Sequence, residues 1–176
     1  WQRPVTNYTR HIYKAGNQNW SIQQHDNGWI YVANNKGLSE FDGVEWNTYP
    51  IHNAKTRAVK VGHDGRIYIG GMEQFGYFTP NRLGGLEYTC LSDSLSPNVN
   101  VGVIWNILLD GERVYFQSDR RFFYWEEGIV KKIDYSSEIY TSFILRNKLY
   151  ITSAEGLLML NGTEFIPVLG PLGIGA

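Results

Sequence analysis

The sequence predicts an all-β chain, a β-propeller of about four four-stranded antiparallel blades, from three observations. A short phrase is written four times, as Ile30-Tyr31-Val32, Ile67-Tyr68-Ile69, Val114-Tyr115-Phe116 and Leu149-Tyr150-Ile151. The tyrosine intervals are 37 (31 to 68), 47 (68 to 115) and 35 (115 to 150) residues, the spacing of a repeat architecture. Turn signals recur in step with the phrase, and no segment carries an apolar stripe at helical period for three turns.

Each unit reads strand, tight turn, strand, short loop, strand, tight turn, strand. The first turn is Asp26-Asn27-Gly28, then His63-Asp64-Gly65, Asp110-Gly111 and Arg146-Asn147-Lys148. Residues of this kind tolerate positive φ, which two-residue hairpins require. After the tyrosine strand comes Gly37, Arg121 or Gly156, followed by Leu38, Phe122 or Leu157. An apolar anchor stands next at Phe41, Trp125 or Leu160, then a second turn at Asp42-Gly43, Glu127-Gly128 or Asn161-Gly162, then Trp46, Val130 or Phe165. The second unit departs from this register: Gly76 is displaced, and Pro80-Asn81-Arg82-Leu83-Gly84-Gly85 makes a longer connection before Leu86-Glu87-Tyr88. The expected blades cover about 20–50, 57–92, 104–135 and 141–169, with 1–19 a lead-in or closing strand. An all-β sandwich of short strands is the alternative, but it has no need of one hairpin phrase repeated four times.

Closed propellers have about four to eight blades. The ending Gly170-Pro171-Leu172-Gly173-Ile174-Gly175-Ala176 reads as a connection rather than a closing strand, so the units are expected to be part of a larger ring. The start at Trp1, without Met or a signal-peptide pattern, reads as a mature or excised piece. The formal net charge is −1 with both signs interspersed, which argues against a nucleic-acid surface. The single cysteine, Cys90, excludes an internal disulfide and a cysteine zinc cluster. No apolar run is long enough to span a membrane.

Catalytic signals are weak. His25 and His63 lie in first turns beside Asp26 and Asp64, where turn chemistry accounts for them better than a metal pair. The carboxylates are scattered, and neither a nucleophile-elbow motif nor a phosphate-cradling glycine loop is present. The reading is therefore of no enzyme, no metal and no cofactor. For binding, the register singles out the residue that enters the innermost strand of each unit. It is Trp20 and Arg57, eleven before their tyrosines, and Trp105 and Tyr140, ten before theirs. Equivalent positions lie on one face near the channel mouth, where aromatic rings stack on sugars and a guanidinium binds hydroxyls or carboxylates. The competing reading is that these four pack the core between blades. Loop residues Asn53, Lys55 and Asn98 could line the same face.

The stretch Tyr13-Lys14-Ala15-Gly16-Asn17-Gln18-Asn19-Trp20 runs into a blade reading Tyr31-Val32-Ala33-Asn34-Asn35-Lys36-Gly37-Leu38-Ser39-Glu40-Phe41-Asp42-Gly43-Val44-Glu45-Trp46. With Gly65-Arg66-Ile67-Tyr68-Ile69-Gly70-Gly71, Phe75-Gly76-Tyr77-Phe78 and Val114-Tyr115-Phe116-Gln117-Ser118, this wording resembles the two-component-regulator propeller repeats, over about 1–169. The resemblance is to the subgroup whose propellers precede a triple-tyrosine domain, one membrane helix, a coiled coil and a LuxR-type helix-turn-helix; related proteins carry a histidine kinase instead. It implies a periplasmic sensor, tied to the membrane only through its parent chain and associated with polysaccharide use by anaerobic bacteria. The expected partners are an oligosaccharide ligand, the remaining blades and triple-tyrosine domain of the parent chain and, in a homodimer, a second copy, with no nucleic-acid contact by this segment. A structural or dimerisation module, and a propeller lyase or hydrolase, are the rival functions.

Overall fold

Among the described residues, 5–51 and 55–168 of a computed structural model, sixteen strands form four separate sheets. The first sheet is β1 (Asn19–Gln24), β2 (Ile30–Asn34), β3 (Gly37–Phe41) and β4 (Trp46–Pro50). The second is β5 (Thr56–Val61), β6 (Ile67–Gly71), β7 (Phe75–Pro80) and β8 (Leu86–Cys90). The third is β9 (Asn106–Asp110), β10 (Arg113–Gln117), β11 (Arg121–Glu126) and β12 (Ile129–Asp134). The fourth is β13 (Thr141–Leu145), β14 (Lys148–Ser153), β15 (Gly156–Asn161) and β16 (Glu164–Pro167). Every sheet is an antiparallel meander in chain order, and the first strands β1, β5, β9 and β13 neighbour one another in turn. Four such blades packed face to face make a β-propeller fold. Trp1, Asn53 and the connection expected at 170–176 lie outside the described residues.

The repeated phrase occupies the second strand of every blade, and strand alternation explains why it is conspicuous. Tyr31, Tyr68 and Tyr115 point to the following blade, whereas Ile67, Val114 and Leu149 point back to the preceding one. Three apolar layers result. Tyr31, Ala33 and Leu38 pack on Val59, Ile67, Ile69 and Phe78; Tyr68 and Phe75 on Ile107, Val114, Phe116 and Phe123; Tyr115 and Phe122 on Leu149, Ile151 and Leu158. The Phe75 ring lies 4.5 Å from Phe116 and 5.1 Å from Phe123. Each such buried side chain contributes about 1.5–3 kcal/mol of transfer free energy.

The first-turn chemistry follows the sequence. Gly28, Gly65 and Gly111 take positive φ, and Arg146 and Asn147 both do (49° and 58°), as a type I′ hairpin demands. The departure read into the second unit is smaller than expected. Phe75 pairs with Gly70 as Leu38 pairs with Ala33 and Phe122 with Gln117, so the strand stays in register. Most of the longer interval lies instead in residues 91–105. That connection carries a 3-10 turn (Ser92–Ser94) and is pinned by the Glu73 carboxylate, which accepts from the backbone N–H groups of Val101 and Gly102.

No strand forms among the described lead-in residues, 5–18. They hold a one-turn helix, α1 (Arg10–Tyr13), too short to register as a helical stripe in the sequence. Tyr8 packs tilted against Phe41 and edge-on to Trp46, and Tyr13 approaches Trp46, so this segment covers part of the free face of the first blade.

Candidate functional site

Trp20 and Arg57 are the odd residues of two β-bulges. Asn19 pairs with Asn34 and Ser21 with Ala33, leaving Trp20 as the extra residue; Arg57 is extra between Thr56–Gly71 and Ala58–Gly70. The bulge is the reason these residues stand eleven before their tyrosines while Trp105 and Tyr140 stand ten before. Bulges re-aim side chains. Trp105 and Tyr140 sit one residue before β9 and β13, and their backbone N–H groups donate to Gln117 (2.9 Å) and Thr152 (2.9 Å). All four thus mark the end at which the innermost strands begin.

Three of the four meet. The Arg57 guanidinium lies over the Trp20 ring at 4.0 Å, and the Trp20 and Trp105 rings are edge to face at 6.5 Å. Trp20 comes from the first blade and Trp105 from the third, so the contact spans the mouth. Tyr140 makes no ring contact with the other three among the described residues. None of the aromatics fills the core between blades: Trp20 is 45%, Trp105 46% and Tyr140 62% exposed. The core-packing alternative therefore does not describe their environment.

The polar supports of this cluster escaped the sequence reading. Asn35 Oδ1 accepts from both Trp20 Nε1 (3.0 Å) and Arg57 Nη1 (2.8 Å), and its amide donates to Gln18 (2.7 Å). Asp119 Oδ1 accepts from Trp105 Nε1 at 2.7 Å. Asn35 and Asp119 stand at the same place in their units, four residues after the tyrosine, and that recurrence was the available signal. Arg57 also donates to its neighbour's carbonyl on Thr56 (3.2 Å), and desolvation draws its pKa down from the usual range. The arrangement offers aromatic faces and edges, one guanidinium and one carboxylate on an open surface, groups of the kind that contact hydroxylated rings.

At the other end of the innermost strands a polar channel of about 580 Å³ is lined by Gln23, Gln24, His25, Lys60 and His63, among others. His25 has a turn role as well: its backbone N–H donates to Trp29 (2.8 Å) and its Nδ1 accepts from Asn27 N–H (3.1 Å). Among the described residues no group of three His, Cys, Asp or Glu side chains could hold a metal ion. Burial pushes the Cys90 thiol up, which makes it a poor nucleophile. Lys55 and Asn98 are exposed loop residues with no side-chain partner among the described residues.

Comparison with known proteins places the fold. No family model matches the chain, and no curated protein does. Among solved structures it is similar to the extracellular domain of BT4673 from B. thetaiotaomicron, named for a one-component system in one structure and a hybrid two-component system in another. The TM-scores are 0.65 and 0.63 at 13% and 15% identity. It is also similar to virginiamycin B lyase from Staphylococcus aureus (TM-score 0.69, 13% identity) and to the WD40 propeller domain of Doa1 (TM-score 0.66, 12% identity). The BT4673 matches cover 90% of this chain but 22% of that one; the lyase match covers 89% and 57%. At these identities the likeness establishes the propeller fold.

Proposed function

We propose that this chain is the ligand-sensing propeller module of a bacterial membrane-bound signalling protein, placed outside the cytoplasm and responding to an oligosaccharide. The observation that carries this reading is the solvent-open cluster of Trp20, Arg57 and Trp105, with Tyr140 on the same end. Exposed tryptophans held by hydrogen bonds to Asn35 and Asp119 are preorganised, so a sugar that stacks on them does not have to order them first. Arg57 would then select hydroxyl-rich or acidic glycans. The likeness to a regulator's extracellular domain supports the sensor reading. In that reading the chain performs no chemistry. The ligand biases two arrangements of the propeller against the remaining blades and a triple-tyrosine domain of the parent chain, through its differential affinity for them.

The test is a thermal-shift screen against neutral and acidic oligosaccharides, followed by titration of any hit. A ligand that binds only the native state raises the melting temperature. A saturable shift with one glycan class, without product release, supports the sensor. Product release would favour an enzyme, a reading kept alive by the lyases that share the fold. A third reading is a spacing or dimerisation module with no ligand of its own. Concentration-dependent pairing without any glycan response would select it.

A further inference from the structure

The crevices between blades are built to one plan, and the first is the exception. In the second blade Arg66 lies over Tyr77 (5.0 Å) and over Trp125 of the third blade (5.2 Å), and pairs with Asp64 (2.5 Å). In the third blade Arg113 lies over Tyr124 (4.8 Å) and chelates Glu126 (2.8 Å). The chain thus supplies its own cation to the aromatic surface in both places. In the first blade the residue in register with Arg66 and Arg113 is Trp29, and the residue in register with Tyr77 and Tyr124 is Glu40. An aromatic has replaced the cation, and a carboxylate has replaced the aromatic.

Glu40 is 3% exposed. Its Oε1 accepts from the Tyr49 hydroxyl at 3.0 Å, while Oε2 is buried with no partner at full hydrogen-bond geometry among the described residues, the Tyr31 hydroxyl being the neighbouring donor. A buried carboxylate oxygen is costly unless a donor or a positive charge meets it. Glu40 lines a cavity of about 410 Å³ with His25, Trp29, Tyr31, Pro80 and Leu86. The corresponding crevice between the second and third blades, which contains Arg66, is about 280 Å³. Among the described residues no Lys or Arg lines the larger cavity. Its volume is within the range of about 300–1,000 Å³ usual for small-molecule sites.

We infer that the cavity between the first and second blades is a second binding site, specific for a protonated primary amine, whose ammonium group meets Glu40 Oε2 against the Trp29 and Tyr31 rings. A carboxylate beside aromatic rings is the combination that recognises ammonium groups. The site lies by the first turn of the first blade, at the opposite end of β1 from Trp20, so it stands or falls independently of the mouth cluster.

Isothermal titration and thermal shift at neutral pH, with cyclohexylamine and N-cyclohexylacetamide as paired probes, test it. The two share a ring that carries no hydroxyl for the mouth cluster, and they differ in the charge on nitrogen. The expected result is saturable binding of cyclohexylamine, none of N-cyclohexylacetamide at the same concentrations, and at least about tenfold weaker cyclohexylamine binding in Glu40→Gln. Equal binding of both probes, absence of saturable binding by cyclohexylamine, or undiminished affinity in folded Glu40→Gln would each overturn the inference. If that variant does not fold, the charged and neutral probes on the unaltered chain decide the matter.

Discussion

Trp105 is the side chain on which the sensor reading depends most. It contributes an exposed ring from the third blade, locked to Asp119, and it completes the contact across the mouth to Trp20. Trp105→Ala should weaken glycan binding about tenfold or more, the effect of deleting an aromatic anchor, and leave the melting temperature of the unliganded chain nearly unchanged, because the ring is not in a core. Titration of the variant beside the unaltered chain measures this, and equal affinities would remove Trp105 from the site. Glu40 governs a different property. Burial pushes its pKa above the ordinary carboxylate range, and the Tyr49 and Tyr31 hydroxyls only partly oppose that. The folded state therefore holds the proton more tightly than the unfolded state. Its stabilising effect is complete below the unfolded carboxylate pKa and is lost as pH rises from there through the folded value. Glu40→Gln should accordingly melt higher than the unaltered chain at neutral pH, with the gap closing in acid. A pH series of melting curves with a constant gap would contradict this.

Hairpins carry most of the local information in this chain, and one of them is under evident strain. The turn between β13 and β14 places Arg146 and Asn147 at φ 49° and 58°. A residue with a Cβ pays about 1 kcal/mol or more in that left-handed region, and Asn-Gly is the pair that suits it. Replacing the dipeptide through Arg146→Asn with Asn147→Gly should stabilise the chain by about 1 kcal/mol in urea unfolding. A loss of stability would mean that the arginine makes a compensating contact. The third strands set a second constraint. Gly76 in β7 has the Thr89 carbonyl of β8 where a Cβ would be, so this glycine reflects close backbone approach rather than the displaced turn read into the second unit.

Across the whole molecule, the first three blades bury the residue that follows the tyrosine strand and the fourth does not. Leu38, Phe75 and Phe122 are 0% exposed, whereas Leu157, in the same register, is 40% exposed. It shares that face with Phe143, stacked on Tyr150 at 5.4 Å, and with Leu145 and Ile166. This is the surface that in each earlier blade receives the next one. A continuous apolar sheet face of this kind associates with whatever covers it. The chain is therefore expected to self-associate with rising concentration in sedimentation velocity, and Leu157→Glu to shift it toward the monomer. A monodisperse monomer at high concentration would refute that expectation.

The propeller was legible because it is periodic. Four copies of a strand-turn-strand phrase, with positive-φ residues in register, leave few other ways to bury the same alternating faces, and Tyr31, Tyr68 and Tyr115 are found in equivalent layers as a result. The periodicity also put Trp20, Arg57, Trp105 and Tyr140 at equivalent strand entries. It could not say whether they point into the core or into solvent, because aromatic residues serve both places equally well. Two bulges and the partners Asn35 and Asp119 decided that, and bulges depend on cross-strand pairing that a linear pattern does not display. Glu40 shows the same division. Its position in the repeat was readable from the chain, but its burial, its unpartnered oxygen and the cavity beside it come from packing the first blade against the second. Local periodicity is a property of neighbours in sequence, whereas the environment of a side chain is set by blades brought together from distant parts of the chain.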